Sequence, residues 1–400
     1  MSPDGPGAGL VADGYRELAA SWRADRPARQ QRTGLVDRDF DDLRDAGYHR
    51  LAVPEAHGGT WRDVRSSGRA VCDTLRVLAA GDPAVALVAS MHPAVLAFWL
   101  TPDLHNDALQ RQRASIYDGA AAGLQWGTIT SEPGSGGDIS RTRSAATPAG
   151  PAPGDGSSED RGTGEVLGER YTITGTKHFG SGSGVTSFMV TTAVAAGDDE
   201  PSLFALDVRG RPWDGTAGLE LVAEWDGMGM AATQSHGMEL VDMPAVRHAG
   251  DGPLQAVTGA AGPFNACLFI AVVLGVVDEA VATARAQLAK RPALRAYEQV
   301  EWTRAESDHW LACQAYEGAV RAAEGGAPGA MLGCLRAKQA TAELAESTLG
   351  RLSRVLGGGT FSRRSPFSHW YEDVRALGFL RPPWGFAYDA MYALAAADLG

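Results

Sequence analysis

The 400-residue chain has no C-x-x-C pair, no basic segment leading into an apolar one, no apolar run long enough to cross a bilayer, and no alternation of strand and helix patterns. Each absence removes a class of protein. The four cysteines, Cys72, Cys267, Cys313 and Cys334, are scattered, which fits reduced, mostly buried thiols better than a disulfide framework or a zinc site. Against 36 Lys and Arg stand 48 Asp and Glu, a formal net charge of -12. Nucleic-acid binding needs a basic face to neutralise phosphates, so no nucleic-acid partner is expected. The opening MSPDGPGAGLVADGYRE has no signal-peptide pattern. The longest apolar run, Ala266 to Val277, reads as a buried helix. A soluble, cytoplasmic protein with no membrane partner and no metal is the expectation. Without strand–helix alternation, no Rossmann dinucleotide site is expected either.

What is present falls into three regions. Leu10, Val11, Tyr15 and Leu18 recur at helical steps, Phe40, Leu43 and Leu51 continue the pattern, and Asp82-Pro83 reads as the capped start of a new helix. His57-Gly58-Gly59 reads as a loop between helices. Short β-prone runs then take over, at 171–174, 188–192 and 238–241, punctuated by Gly, Asp and Pro. Between them, 145–168 is rich in Pro, Gly, Ser, Asp and Glu and reads as a surface loop. From about Pro263 the helical period returns, broken at Gly325-Gly326, Gly357 to Gly359 and Pro382-Pro383. These spacings predict an α+β protein. A helical region at 1–123 precedes a central antiparallel, barrel-like β region at 124–248 and a four-helix bundle at 249–400.

Two segments could carry chemistry. In Thr128-Ile129-Thr130-Ser131-Glu132-Pro133-Gly134-Ser135-Gly136-Gly137-Asp138, hydroxyl residues end a β run and lead into a glycine-rich turn whose exposed N–H groups could hold an anion or a heteroaromatic edge. In Thr174-Gly175-Thr176-Lys177-His178-Phe179-Gly180-Ser181-Gly182-Ser183-Gly184, an aromatic two residues before a serine shares its strand face. Taken singly, each is also an ordinary hairpin loop or glycine turn.

Together they resemble the T-E-P-G-x-G-S-D and N-G-x-K-x-W-I-T-N motifs of the acyl-CoA dehydrogenase superfamily. Leu43 to Gly59, Trp225 to Pro244, and the ending with Leu356 to Gly359 and Tyr371 to Arg375 resemble further family segments in the same order. The resemblance implies a flavoprotein, with FAD rather than FMN. Thr130 and Ser131 would meet the isoalloxazine edge, Phe179 would lie beside the ring, and Ser181 would stand near N5. Arg291 would meet the FAD diphosphate, where a planar fork can bind phosphate twice. Gly357 and Gly358 would let the backbone approach the ADP half, usually that of a neighbouring subunit, so a homodimer or homotetramer is implied. Gly137 and Asn265 fall on the substrate side.

The sequence departs from the family where its usual chemistry resides. Removing a proton α to a thioester carbonyl requires a carboxylate, yet Leu380-Arg381-Pro382-Pro383 and Asn265 occupy the two standard positions of that base. The arginine near the CoA end is Ala266. Phe361 to Pro366 with Tyr371 to Arg375 resembles instead the flavin-dependent monooxygenases that receive reduced flavin from a partner reductase. The histidine those enzymes often carry is here replaced by Leu380 and Arg381. His92 and Arg381 remain as candidates for polar work on a small or thioester substrate, with Asp389 as a displaced carboxylate. Glu132, His178 and His236 read as structural. Three functions stay open: a flavin oxidoreductase on a non-standard substrate, possible as a monooxygenase; an acyl-CoA or acyl-carrier-protein dehydrogenase with a relocated base and an electron-transfer partner; and a catalytically silent scaffold.

Overall fold

The computed structural model describes residues 12–100, 106–150, 164–250 and 252–396. Leu10, Val11 and the central part of the loop expected at 145–168 lie outside the described residues. The chain begins with helices α1 (Asp13–Ala24), α2 (Arg26–Arg29), α3 (Asp37–Asp45), α4 (Arg69–Gly81), α5 (Pro83–Leu100) and α6 (Asp107–Ala121). Two of the starts, those of α5 and α6, follow side-chain caps. The Asp82 carboxylate accepts from the Val85 N–H at 3.0 Å, and Asn106 Oδ1 accepts from the Leu109 N–H at 2.6 Å. In α4, Val71, Leu75 and Leu78 repeat at helical spacing and are buried.

Among the described residues seven strands follow: β1 (Trp126–Thr128), β2 (Ala145–Pro148), β3 (Arg170–Gly180), β4 (Phe188–Ala195), β5 (Pro201–Asp207), β6 (Leu219–Ala223) and β7 (His236–Arg247). Strand β4 pairs with β5, β5 with β7, β7 with β3, β3 with β2, and β2 returns to β4, so the sheet closes on itself. Closure leaves fewer unpaired edges to attract another chain. Strands β1 and β6 extend it beside β4 and β7.

Two sequence expectations change here. The sheet is not wholly antiparallel, since β1 and β2 both run parallel to β4. Parallel partners need a long connection, and the stretches 129–187 and 149–187 supply it. Nor is Ala145–Pro148 loop, because it pairs with Thr174–Tyr171. Its single buried side chain, Ala146, is too small to register as an apolar alternation.

Helices α7 (Leu254–Leu288), α8 (Ala296–Gly325) and α9 (Ala330–Leu356) complete the chain with the shorter α10 (Pro366–Val374), α11 (Ala376–Phe379) and α12 (Trp384–Ala396). Three long helices form the bundle, and the fourth place is shared by the short helices packed on α7 and α9 and by α4 on α7. From Ala266 to Val277 helix α7 is apolar on every side, with Leu268 and Ile270 to Leu274 fully buried, because α4, α5, α8 and α9 surround it. At its crossing with α4, a Cβ on Gly275 would sit 2.1 Å from the Arg76 carbonyl oxygen, so only glycine admits this approach. Neither α5 nor α7 contains an unbroken apolar run of membrane-spanning length, yet by helix length and mean composition both are apolar enough to cross a membrane, and both are packed into this core.

Candidate functional site

A cavity of about 1030 Å³ opens between α5, α7, the glycine-rich segment after β1, the end of β3 and the α10–α12 segment. This is at the top of the usual range for small-molecule sites, roughly 300–1,000 Å³. Seven residues singled out from the sequence line it: Thr130, Ser131, Gly137, Phe179, Ser181, Asn265 and Arg381. Residues separated by as many as 251 positions are therefore brought to one wall.

The glycine-rich segment is anchored from beneath by a buried ion pair. The Lys177 ammonium donates to Glu132 Oε1 at 2.5 Å and to the Thr192 carbonyl at 2.6 Å, and its side chain is wholly buried. The same carboxylate accepts from the Arg143 N–H at 2.7 Å, from the Ser144 hydroxyl at 2.7 Å and from the Thr142 hydroxyl. Burial alone would raise the Glu132 carboxyl. Lys177 and the surrounding donors outweigh it and hold the group at about 2. Glu132 is thus a fixed anion that shapes the turn, as its structural reading expected.

From this platform the Ser131 carbonyl accepts the His178 N–H at 2.8 Å, joining the two motifs. A register shift between Lys177 and Gly180 follows. Phe179 takes φ 60°, a backbone conformation that costs a side-chain-bearing residue roughly 1–3 kcal/mol. Its ring is 59% exposed and stands edge-on to Trp225, with centroids 6.2 Å apart. The sequence places Phe179 and Ser181 on one strand face, but β3 ends at Gly180, and it is the bulge rather than strand alternation that brings both to the cavity. Ser181 Oγ shares a hydrogen bond with Ser235 Oγ at 2.8 Å, and Ser235 with Thr233 at 2.8 Å. This hydroxyl chain includes two residues that sequence reading missed, visible only as the A-T-Q-S stretch before β7.

Across the cavity, Arg381 Nη2 donates to Ser131 Oγ at 2.7 Å. Asn265 donates from Nδ2 to the Ala94 carbonyl at 3.2 Å, while its Oδ1 has no hydrogen-bond partner among the described residues. The lining is otherwise mostly apolar, with Leu87, Met91, Phe98, Phe269, Phe379 and Phe386 prominent.

Four expected site residues are elsewhere. His92 is fully buried; its Nδ1 accepts the Trp126 N–H at 3.2 Å, and Nε2 donates to the His49 carbonyl at 3.1 Å. Burial lowers its pKa to about 3, so it is a neutral clamp between α5 and β1 and not a catalytic group facing the cavity. Arg291 donates to the Val355 and Leu356 carbonyls, each at 3.1 Å, at the C-terminal end of α9. It lies beside Gly357 and Gly358 there, and none of the three lines the cavity. Asp389 is exposed and also outside it. His236 accepts the Trp225 N–H at 2.9 Å and is structural, whereas His178 does line the cavity.

A closed β-barrel between helical regions, with this cavity at their junction, is the architecture of the acyl-CoA dehydrogenase-like flavoproteins. No protein-family model matches the chain. Among solved structures, it is similar to the dibenzothiophene monooxygenase TdsC of a Paenibacillus species in complex with FMN and indole. The TM-score is 0.75 at 19% identity, covering 95% of each chain. It is similar also to KijD3 in complex with FMN and a dTDP-linked amino keto sugar, with TM-score 0.75 and 21% identity over 96% of this chain and 94% of that one. The dibenzothiophene monooxygenase of Rhodococcus qingshengii is 27% identical over 221 residues, 55% of this chain. The match spans 46% of that relative, less than half its length.

Proposed function

We propose that the chain is a flavin-dependent monooxygenase that binds FMN and acts on a small, largely apolar substrate. One observation carries the reading. Thr130, Ser131, Phe179 and Ser181 converge on one cavity wall, and the two positions of a dehydrogenase base hold Asn265 and the Leu380-Arg381-Pro382-Pro383 stretch, neither of which has a carboxylate. The residues present fit a flavin. A strained, exposed aromatic stands ready for a ring, and an ordered chain of hydroxyls stands ready for polar ring atoms. Bound flavin would supply the redox chemistry. Ser131 and Ser181 would orient its polar edge, Phe179 would fix its plane, and the apolar helices α5 and α7 would exclude water from the substrate.

FMN is preferred to the FAD implied by the motifs. Arg291, the residue expected on a diphosphate, uses its fork on the end of α9, and the similar TdsC and KijD3 structures contain FMN. A partner reductase would deliver the reduced cofactor, as the resemblance to reductase-coupled monooxygenases implies. Tyr297, Val300, Trp310 and Leu311 leave α8 with exposed apolar surface, which supports a homo-oligomer. The dehydrogenase alternative loses support because Asp389 is outside the cavity and Glu132 is held in its ion pair.

The test supplies reduced FMN and ¹⁸O₂ with indole and dibenzothiophene as trial substrates. One labelled oxygen atom in a product supports the proposal. Anaerobic bleaching of bound flavin by an acyl-CoA, with no labelled product, overturns it.

A further inference from the structure

Besides Arg375, which donates to Met228 Sδ at 3.5 Å, two basic side chains in or just behind the cavity wall have no carboxylate partner within 4.0 Å among the described residues, although the chain is acidic overall. The first is Arg381, which lines the cavity and makes a single hydrogen bond, to Ser131 Oγ. The second is Lys338 of α9, whose full burial lowers its pKa to about 7 and which donates to the Pro382 carbonyl at 2.9 Å, one residue from Arg381. Lys338 thereby fixes the turn that aims Arg381 inward. The first turn of α12, starting at Trp384, contains no acidic residue, so the positive end of that helix adds to the same field.

Of the other charges at the cavity, Asp138 partly offsets Arg381 from beyond ion-pair distance. Glu132 is neutralised by Lys177. Asp138 accepts from the Ser140 N–H at 2.9 Å and the Ser140 hydroxyl at 2.6 Å, and makes no ion pair with Arg381. Glu372 and Arg375 also line the cavity with opposite charges, and no ion pair joins them within 4.0 Å. An arginine with free donors over an apolar chamber suits a planar oxyanion, which it can hold through two parallel hydrogen bonds.

We propose that Arg381 forms an anion subsite and that the substrate is an apolar molecule bearing a carboxylate or phosphate. This rests on the flavoprotein reading for its cavity, and it names the substrate class for that site. Burial lowers the Arg381 pKa to about 10, so the group stays charged at neutral pH and gains most from a partner that enters the cavity with it.

The test uses the full chain, with and without FMN. Benzoate, inorganic phosphate and uncharged benzamide are titrated by calorimetry against wild type, Arg381→Met and Arg381→Lys. Wild type should bind benzoate about 10- to 100-fold more tightly than benzamide, the range for hydrogen bonds to a charged group. Arg381→Met should abolish that preference, and Arg381→Lys, which keeps charge but loses the fork, should retain only part of it. Equal affinity of wild type for benzoate and benzamide overturns the proposal. So does loss of the preference in neither variant. A third overturning result is an Arg381→Met variant that weakens FMN but not riboflavin and leaves benzoate binding intact, since the anion would then be the flavin phosphate. If FMN fails to bind at all while benzoate still discriminates Arg381 from Met, the subsite stands and the flavin reading falls.

Discussion

Replacing Lys177 by Met should destabilise the protein and loosen the cavity wall together. The ammonium is fully buried and is held by Glu132, Thr192 and Thr142 at 2.5, 2.6 and 3.1 Å. Its removal leaves a buried carboxylate without its cation, a change that typically costs about 3–5 kcal/mol. Glu132 keeps the Arg143 and Ser144 donors, so the lower end, about 3 kcal/mol, is expected. With unfolding entropy near 2.1 cal/mol/K per residue, a chain of this length unfolding as one unit would lose roughly 4 °C in Tm. Lys177→Met with Glu132→Gln should cost much less than the sum of the single changes, because the double variant strands no charge. Thermal unfolding followed by circular dichroism reads both quantities. FMN affinity should fall alongside Tm, since Ser131 is adjacent to Glu132 on the anchored turn. Acid should act in the same direction: Glu132 is held at about 2 against an unfolded value of 4.5, so its contribution is present above pH 4.5 and fades as pH falls toward 2. Additive single effects, or a Lys177→Met variant melting within 1 °C of wild type, would refute the reasoning (the shifts scale from the entropy above).

Three further outcomes are expected. Phe179→Gly should relieve the φ 60° strain, leaving Tm of the flavin-free protein unchanged or slightly higher, while weakening FMN about 10-fold through loss of a ring contact; fluorescence quenching of FMN measures it. His92→Ala should lower stability by about 2–4 kcal/mol through lost packing and two lost backbone hydrogen bonds, with FMN affinity of the folded fraction unaltered; a turnover defect at unchanged Tm would restore a catalytic role. His309 is pushed up to about 9, where burial, which would lower it, is outweighed by its hydrogen bond to Asp278. Its contribution is complete below the unfolded value of 6.5 and is lost as pH rises through 9, so the fall in Tm between pH 7 and pH 10 should be smaller in His309→Gln.

What could be read from the sequence was local. Thr130 with Ser131 and Phe179 with Ser181 lie within short motifs whose composition is enough to mark a turn beside a strand, and all four reach the cavity. Arg381 and Asn265 were also found, as residues occupying places where a carboxylate was expected. His92 failed because its direction depends on which face of α5 meets β1, a matter of tertiary packing that helical period does not decide. Arg291 failed for a related reason: its partners lie 64 and 65 residues further along, and the end of α9 accepts a guanidinium as well as a phosphate would. The Glu132–Lys177 pair was in plain view in both motifs, yet nothing in either motif says that the chain brings together two side chains 45 positions apart.

The chain contains only three lysines, Lys177, Lys290 and Lys338, and two of these ammonium groups are sealed inside the fold. Lys290, just past the end of α7, is the exposed one. Amine-reactive labels and surface couplings will therefore attach to the native protein at this one side chain, apart from the terminal amine. A dye or a biosensor surface can be fixed there at a defined point outside the cavity. Acylation of Lys177 or Lys338 would instead report that the barrel or the bundle had opened, which makes the rate of their modification a residue-specific clock for local unfolding.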